Sequence, residues 1–320
     1  MDDSAKVTLT RNLDEIYDSR RQHARRAAHG DETRVATGAY IPTSAWEALG
    51  PRDQYLLRVR AVAETRLHRS VLSHWSAAAI HGLPSIEAWP STVHFTVGQT
   101  AGGRSSGPVT RHSMKLADED VMEVDGLLVT TVSRTLLDLA AGASLLSSVA
   151  ALDHALHVDR RSGLPPRATI EQLWSRYGAL MPFRASARAR DAIEFAVTEA
   201  DSPLESVSRV NMRTIGCPRP TLQQRFDDYR GLIGFSEFYW EQFSLVGEAD
   251  GRSKYTEPRY SNGRTLEQIL LDEKERADRI RALGPDVSRW GWRTAISPEA
   301  LRRHLSAAGL PMGQPWGSTT

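Results

Sequence analysis

The order of elements in the last third of the chain limits the fold more than any other feature. A helical run from Ser202 to Ile215 is followed by three β-rich runs, Leu222–Phe226, Leu232–Tyr239 and Phe243–Glu248. A long helical run from Thr265 to Leu283, a fourth strand over Val287–Trp292 and a helix opened by Ser297 complete the series. Asp227-Asp-Tyr-Arg-Gly231 joins the first two strands as a turn. The elements follow the order α-β-β-β-α-β-α in a unit spanning 192–310, followed by a tail, 311–320.

The 320 residues leave room for two or three domains, and 25% charged with 40% hydrophobic residues describes a globular chain. A formal net charge of +1 excludes bulk adhesion to nucleic acid, so any such contact must come from local patches. Cys217 is the single cysteine, which excludes an intramolecular disulfide and a cysteine-rich zinc site and fits a reducing compartment. The start, MDDSAKVTLT, lacks the apolar core of a signal peptide. The most apolar region, Leu136–Leu156, is interrupted by Asp138 and Asp153 and predicts a buried helix pair rather than a membrane span. These features predict a cytoplasmic protein with no membrane partner.

Upstream, residues 13–29 have helical spacing and Gly30 stops the run. Thr33–Ile41 reads as a short strand or β-wing, and a short helix follows from Ser44 to Leu49. This segment, 1–50, precedes a unit over 51–160. Helices are expected there at 53–67 and 73–81, and strands at 92–97 and 109–112. Asp125-Gly126 between β-rich runs predicts a type I′ hairpin, and Ser133 is expected to open the next helix. Residues 161–191, with Pro165-Pro166 and a basic run from Arg184 to Arg190, read as a connector.

Carboxylates dominate the candidate chemistry of the last unit. Glu205 lies on its first helix, Glu237 on the second strand, and Glu248 and Asp250 on the third, two apart and so on one face. A tight hairpin sets Glu237 near Val246, with Glu248 as its diagonal neighbour. Carboxylates converging at a sheet end repel one another. A divalent cation, Mg²⁺ above all, relieves that repulsion and can activate water for attack on phosphorus. In this scheme Glu205, Glu248 and Asp250 are the metal ligands, Glu237 a ligand or water orienter, and Lys254 a neutraliser of developing charge. The structural alternatives are as concrete. Ser202-Pro-Leu-Glu205 is a capping box, Asp250-Gly251 a turn, and Glu237 a solvated strand residue.

Arginines mark the other candidate site. Arg20, Arg21, Arg25 and Arg26 crowd one helical stretch that holds no acid, and Arg34 follows on the wing. Positions 21 and 25 share a helix face, suited to phosphates or guanine edges. The alternative is a solvated basic face balanced by Asp14, Glu15 and Asp18. Zinc ligation by His74, His81 and His94 is a further option, against scattered surface or core histidines. Trp240, Trp290 and Trp292 read as core.

Longer phrases add a family resemblance. Ser202-Pro-Leu-Glu-Ser-Val-Ser-Arg209, Gly234-Phe-Ser-Glu-Phe238 and Leu245-Val-Gly-Glu-Ala-Asp-Gly251 resemble a very-short-patch-repair endonuclease-like domain of the PD-(D/E)XK superfamily. Glu273-Lys-Glu-Arg276, Arg279, Leu283-Gly284 and Val287-Ser-Arg-Trp290 match its closing helix and strand. The resemblance covers about residues 200–305 and implies an αβββαβ core with Glu205, Glu237, Glu248 and Asp250 at the catalytic edge. Two positions depart from that pattern. Glu237 stands where an aspartate is usual, and Asp250 where the Glu-X-Lys lysine is usual, so Lys254 would substitute from outside.

Arg34-Val-Ala-Thr-Gly-Ala-Tyr-Ile41 resembles the wing of the winged helix-turn-helix of AbiEi-type antitoxins. Leu72-Ser-His-Trp-Ser-Ala-Ala-Ala-Ile-His-Gly-Leu-Pro84, Val93-His-Phe-Thr-Val97 and Thr131-Val-Ser-Arg-Thr-Leu-Leu-Asp-Leu139 resemble the middle region of the same proteins. That resemblance implies operator binding, autorepression and a nucleotidyltransferase toxin as partner. Within these phrases Ser73 reads as an N-cap and Arg134 with Asp138 as an i,i+4 pair. The expected fold class is α+β: a winged-helix-like segment, an α/β middle domain and a restriction-endonuclease-like αβββαβ domain. The expected function is that of a DNA-associated antitoxin and autoregulator, with a Mg²⁺-dependent DNA endonuclease as the alternative.

Overall fold

A computed structural model describes residues 7–9, 16–65, 70–98, 105, 107–158, 163–250 and 265–316, with the side chains of 16–20, 266, 269 and 270 outside the description. The chain is α+β and forms two compact units, Met1–Ala151 with Arg167–Glu194, and Leu152–Pro166 with Phe195–Thr320.

In the first unit β1 (Thr8–Leu9), α1 (Ile16–His29), β2 (Glu32–Ala36), β3 (Ala39–Pro42), α2 (Thr43–Glu47) and α3 (Pro51–Glu64) come first. The Thr33–Ile41 run is a hairpin, and its three-stranded sheet has the order β1-β3-β2. Next come β4 (Val71–Leu72), α4 (His74–His81), β5 (Val93–Val97), β6 (Val109–Ser113), β7 (Val121–Val124) and β8 (Leu127–Thr130). They give a mixed sheet of order β6-β5-β4-β8-β7, parallel at β5/β6 and β4/β8. Asp125 and Gly126 both take positive φ, as a type I′ turn requires. Helices α5 (Val132–Gly142), α6 (Leu145–Leu156), α7 (Ile170–Leu180) and α8 (Ser186–Phe195) follow. One core runs through Val35, Ile41, Tyr55, Val59, Leu72, Phe95 and Val129, so residues 32–41 and the middle region are packed on the same apolar centre.

Several sequence expectations need correction. The stretch read as a connector carries α7 and α8, and α7 opens on a capping box between Thr169 and Gln172. Thr131, not Ser133, caps α5 by accepting from the Arg134 amide. Ser73 holds the cap position of α4 but makes no capping bond; its Oγ lies 3.0 Å from His74 Nδ1.

The second unit is built from α9 (Pro203–Ile215), β9 (Thr221–Asp228), β10 (Gly231–Trp240), β11 (Leu245–Ala249), α10 (Leu266–Ala282), β12 (Asp286–Trp290), α11 (Trp292–Ala295) and α12 (Pro298–Ala307). The sheet order is β12-β11-β10-β9, with β12 parallel to β11. Side chains alternate between its faces. Phe226 and Val246 pack with Ile280 of α10. Phe238 and Trp290 stack at 5.5 Å, and Trp290 Nε1 donates to Ser208 Oγ of α9. Trp240 and Trp290 are core, as expected, whereas Trp292 is 42% exposed. Among the described residues no helix is long and apolar enough to cross a membrane.

Candidate functional site

In the second unit the sheet and one helix bring four acidic residues to one edge. Phe238 pairs with Gly247 and Tyr239 with Val246, so the next step outward sets Glu237 directly across from Glu248. The expected pairing of Glu237 with Val246 is corrected by two residues. The link between the strands causes it: a 3-10 turn over Glu241–Phe243 ends in Ser244 at positive φ, so β11 starts later than its composition suggests. Glu237 is buried, and its Oε2 accepts from the Ala249 amide. Asp250 sits just past β11, its amide bonded to the Trp290 carbonyl at 2.9 Å.

Only the N-cap half of the expected capping box forms at Glu205, whose carboxylate accepts from the Asp201 amide instead of the Ser202 amide. The Glu205 amide donates to Ser202 Oγ at 3.2 Å, and Ser202 Oγ in turn donates to Glu205 Oε1 at 2.8 Å. Glu205 Oε2 accepts from the Asp201 amide at 3.1 Å and from Gln223 Nε2 at 3.4 Å. Burial first, then the nearby charges of Glu237 and Asp201, hold its pKa well above the usual carboxylate range.

Two arginines that sequence reasoning assigned only to the closing helix and strand complete the edge. Arg276 of α10 places Nη2 3.0 Å from Glu248 Oε1 and 2.6 Å from the Phe235 carbonyl. Arg289 of β12 lies level with Glu248 across the parallel pair, and its Nη1 is 3.4 Å from Asp250 Oδ2 and 3.5 Å from Glu273 Oε2. The spacing of Glu248 to Asp250 carried no sign of these cations, which lie 28 and 39 residues downstream of their partners.

A divalent cation held by Glu205, Glu248 and Asp250 does not fit this arrangement. The first carboxyl is engaged by Ser202, Asp201 and Gln223, and the other two face guanidinium groups. Among the described residues no three His, Cys, Asp or Glu side chains group as metal ligands. Lys254 lies outside the described residues.

In the first unit Arg21, Arg25 and Arg26 are exposed on α1, and Arg34 is exposed on β2. Arg26 Nη1 reaches Glu32 Oε1 at 3.4 Å; Arg21, Arg25 and Arg34 have no ion-pair partner among the described residues. Of Arg20 only the backbone, within α1, is described.

The histidines that meet are His74, His94 and His112, not His81, whose Nε2 lies 2.7 Å from the Thr130 carbonyl oxygen. Parallel pairing of Thr96 with His112 puts His112 on the same sheet face as His94, a contact that no local spacing encodes. His112 Nε2 and His94 Nδ1 are 3.1 Å apart, and His74 stacks on His112 with centroids at 3.5 Å and planes 11° apart. Parallel stacked rings direct their in-plane lone pairs side by side, not toward one point, so these three do not form a zinc site. Burial lowers the pKa of all three, that of His94 to about 4.

Comparison with known proteins returns no matching family model and no matching curated protein.

Proposed function

We propose that this chain is a DNA-associated protein of the cytoplasm, of toxin–antitoxin or defence type. In this reading it is an AbiEi-like antitoxin and transcriptional autoregulator with an endonuclease-like C-terminal domain. The observation that carries the DNA half is the segment α1-β2-β3. Arg21, Arg25 and Arg26 are exposed on one helix, and the hairpin that follows at once exposes Arg34. A sheet of order β1-β3-β2 beside that helix suits a winged helix, in which the helix enters the major groove and the hairpin flanks it. The guanidinium groups of Arg21, Arg25 and Arg34, without carboxylate partners among the described residues, are available to phosphates and base edges. The toxin half, with a nucleotidyltransferase as partner, is supported by the resemblance of the Leu72–Pro84 and Thr131–Leu139 phrases.

A mobility-shift assay against the DNA upstream of the protein's own reading frame tests the first half. Salt-sensitive binding is expected, and no shift at micromolar protein would sink it. Co-purification with the product of an adjacent nucleotidyltransferase frame tests the second.

A Mg²⁺-dependent DNA endonuclease is the second reading, favoured by the position of Glu237 directly across from Glu248. It requires Arg276 and Arg289 to release their carboxylates. Incubation with plasmid and Mg²⁺ tests it, and cleavage that survives Asp250→Ala would place the activity elsewhere.

A further inference from the structure

The mismatch between this carboxylate edge and a metal site has a positive content. A cluster of acids at a sheet edge must lose charge by some means, and three are available: a proton, a bound cation, or a cationic side chain. Glu248 is 4% exposed, so an unpaired charge there is costly. Its partner is Arg276, whose Nη2 also bonds the Phe235 carbonyl of the neighbouring strand and is thereby fixed in place. Asp250 lies at the more open end and shares Arg289 with Glu273 at 3.4 and 3.5 Å. Arg279, three residues after Arg276, is turned away and held by both oxygens of Asp228.

We infer that Arg276 and Arg289 occupy the positions at Glu248 and Asp250 that a divalent cation would need, so that the second unit is a metal-independent member of its fold. This rests on the reading of the second unit as an endonuclease-like domain. One neighbouring feature fits it. The Asp250 pair is longer than the Glu248 pair and partly exposed, which makes Arg289 the cation most easily removed without disturbing the core.

Calorimetric titration of the full-length protein with Mn²⁺ alone tests the inference, with no DNA and no activity readout. The native chain is expected to show no saturable Mn²⁺ binding below the millimolar range. Arg276→Met with Arg289→Met removes both cations while keeping their aliphatic stems, and is expected to gain a site at least tenfold tighter. Arg289→Gln alone, at a side chain 30% exposed, is the variant for which folding is not in question, and it is expected to move in the same direction. The inference is overturned if the native chain binds Mn²⁺ tightly and Asp250→Asn abolishes it; the endonuclease-like reading then survives. It is equally overturned if the variants, with native circular dichroism and melting, gain no Mn²⁺ affinity. Failure of the DNA-associated reading is seen separately, as absence of a mobility shift.

Discussion

Arg134 and Asp138 stand one turn apart on α5, both fully buried, with Arg134 Nε 2.9 Å from Asp138 Oδ1. The same guanidinium reaches Asp120 Oδ2 and the Lys115 carbonyl, each at 2.9 Å, and Asp120 is held in turn by Arg176 at 2.8 Å. The i,i+4 spacing named the first pair, but its burial came from the packing of α4, α5 and α7. Asp138→Ala leaves a buried guanidinium short of a partner and is expected to cost about 3–5 kcal/mol. Arg176→Ala, at a side chain 17% exposed, is expected to cost less. Urea unfolding of both variants checks the order; equal costs would contradict it.

The stacked histidines give stability a dependence on acid. Their folded pKa values lie below the ordinary 6.5, so the unfolded chain takes up protons first as pH falls. Their contribution is fully present above about pH 6.5 and declines as pH falls; that of His94, about 3 kcal/mol, is lost on the way to pH 4. Asp138, raised to about 6 chiefly by burial, works the other way: its contribution is present below the unfolded carboxylate value and lost as pH rises through 6. Comparing native protein with His94→Gln isolates the imidazole. The variant's unfolding free energy is expected to fall less between pH 7 and pH 4.5.

Glu205 has the opposite sign to the histidines. Its folded pKa is raised, so its contribution is present below the unfolded value and is lost as pH rises through the folded one. Glu205→Gln keeps a neutral side chain of the same shape, whose oxygen can accept from the Asp201 amide while its amino group donates to Ser202 Oγ. The variant is expected to be at least as stable as the native chain at pH 8, measured by denaturant midpoint. A metal ligand replaced this way would instead lose its ion and its stability in the presence of Mg²⁺.

Gly247 sits between two tryptophans. A Cβ there would lie 2.7 Å from Trp290 Cη2 and 2.9 Å from Trp240 Cζ3, so this glycine is required for space. Gly247→Ala is expected to destabilise by about 1–3 kcal/mol through forced displacement of the rings. A thermal melt unchanged from the native one would show that the rings can give way.

Local chemistry was legible in the sequence. Asp125-Gly126 carried its turn type, Ser202-Pro-Leu-Glu205 its N-cap, and the strand pattern after it the α-β-β-β-α-β-α order. Contacts set by long-range pairing were not. The two-residue change that puts Glu237 opposite Glu248 comes from Ser244 in the left-handed region, which a serine does not announce. Arg276 and Arg289 reach the carboxylates only because α10 packs on the sheet and β12 runs parallel to β11. Thr169-Ile-Glu-Gln172 did hold a legible signal for α7, hidden by the proline and arginine composition around it.

The exposed arginines of α1 and β2 are most directly tested by the salt dependence of DNA affinity. Each phosphate contact contributes about 0.9 to the slope of log affinity against log salt. Replacing Arg21 and Arg25 together by alanine is expected to reduce that slope by about 2 and weaken binding across sequences, with the unfolding midpoint unchanged. A slope equal to that of the native chain would contradict DNA contact through this face.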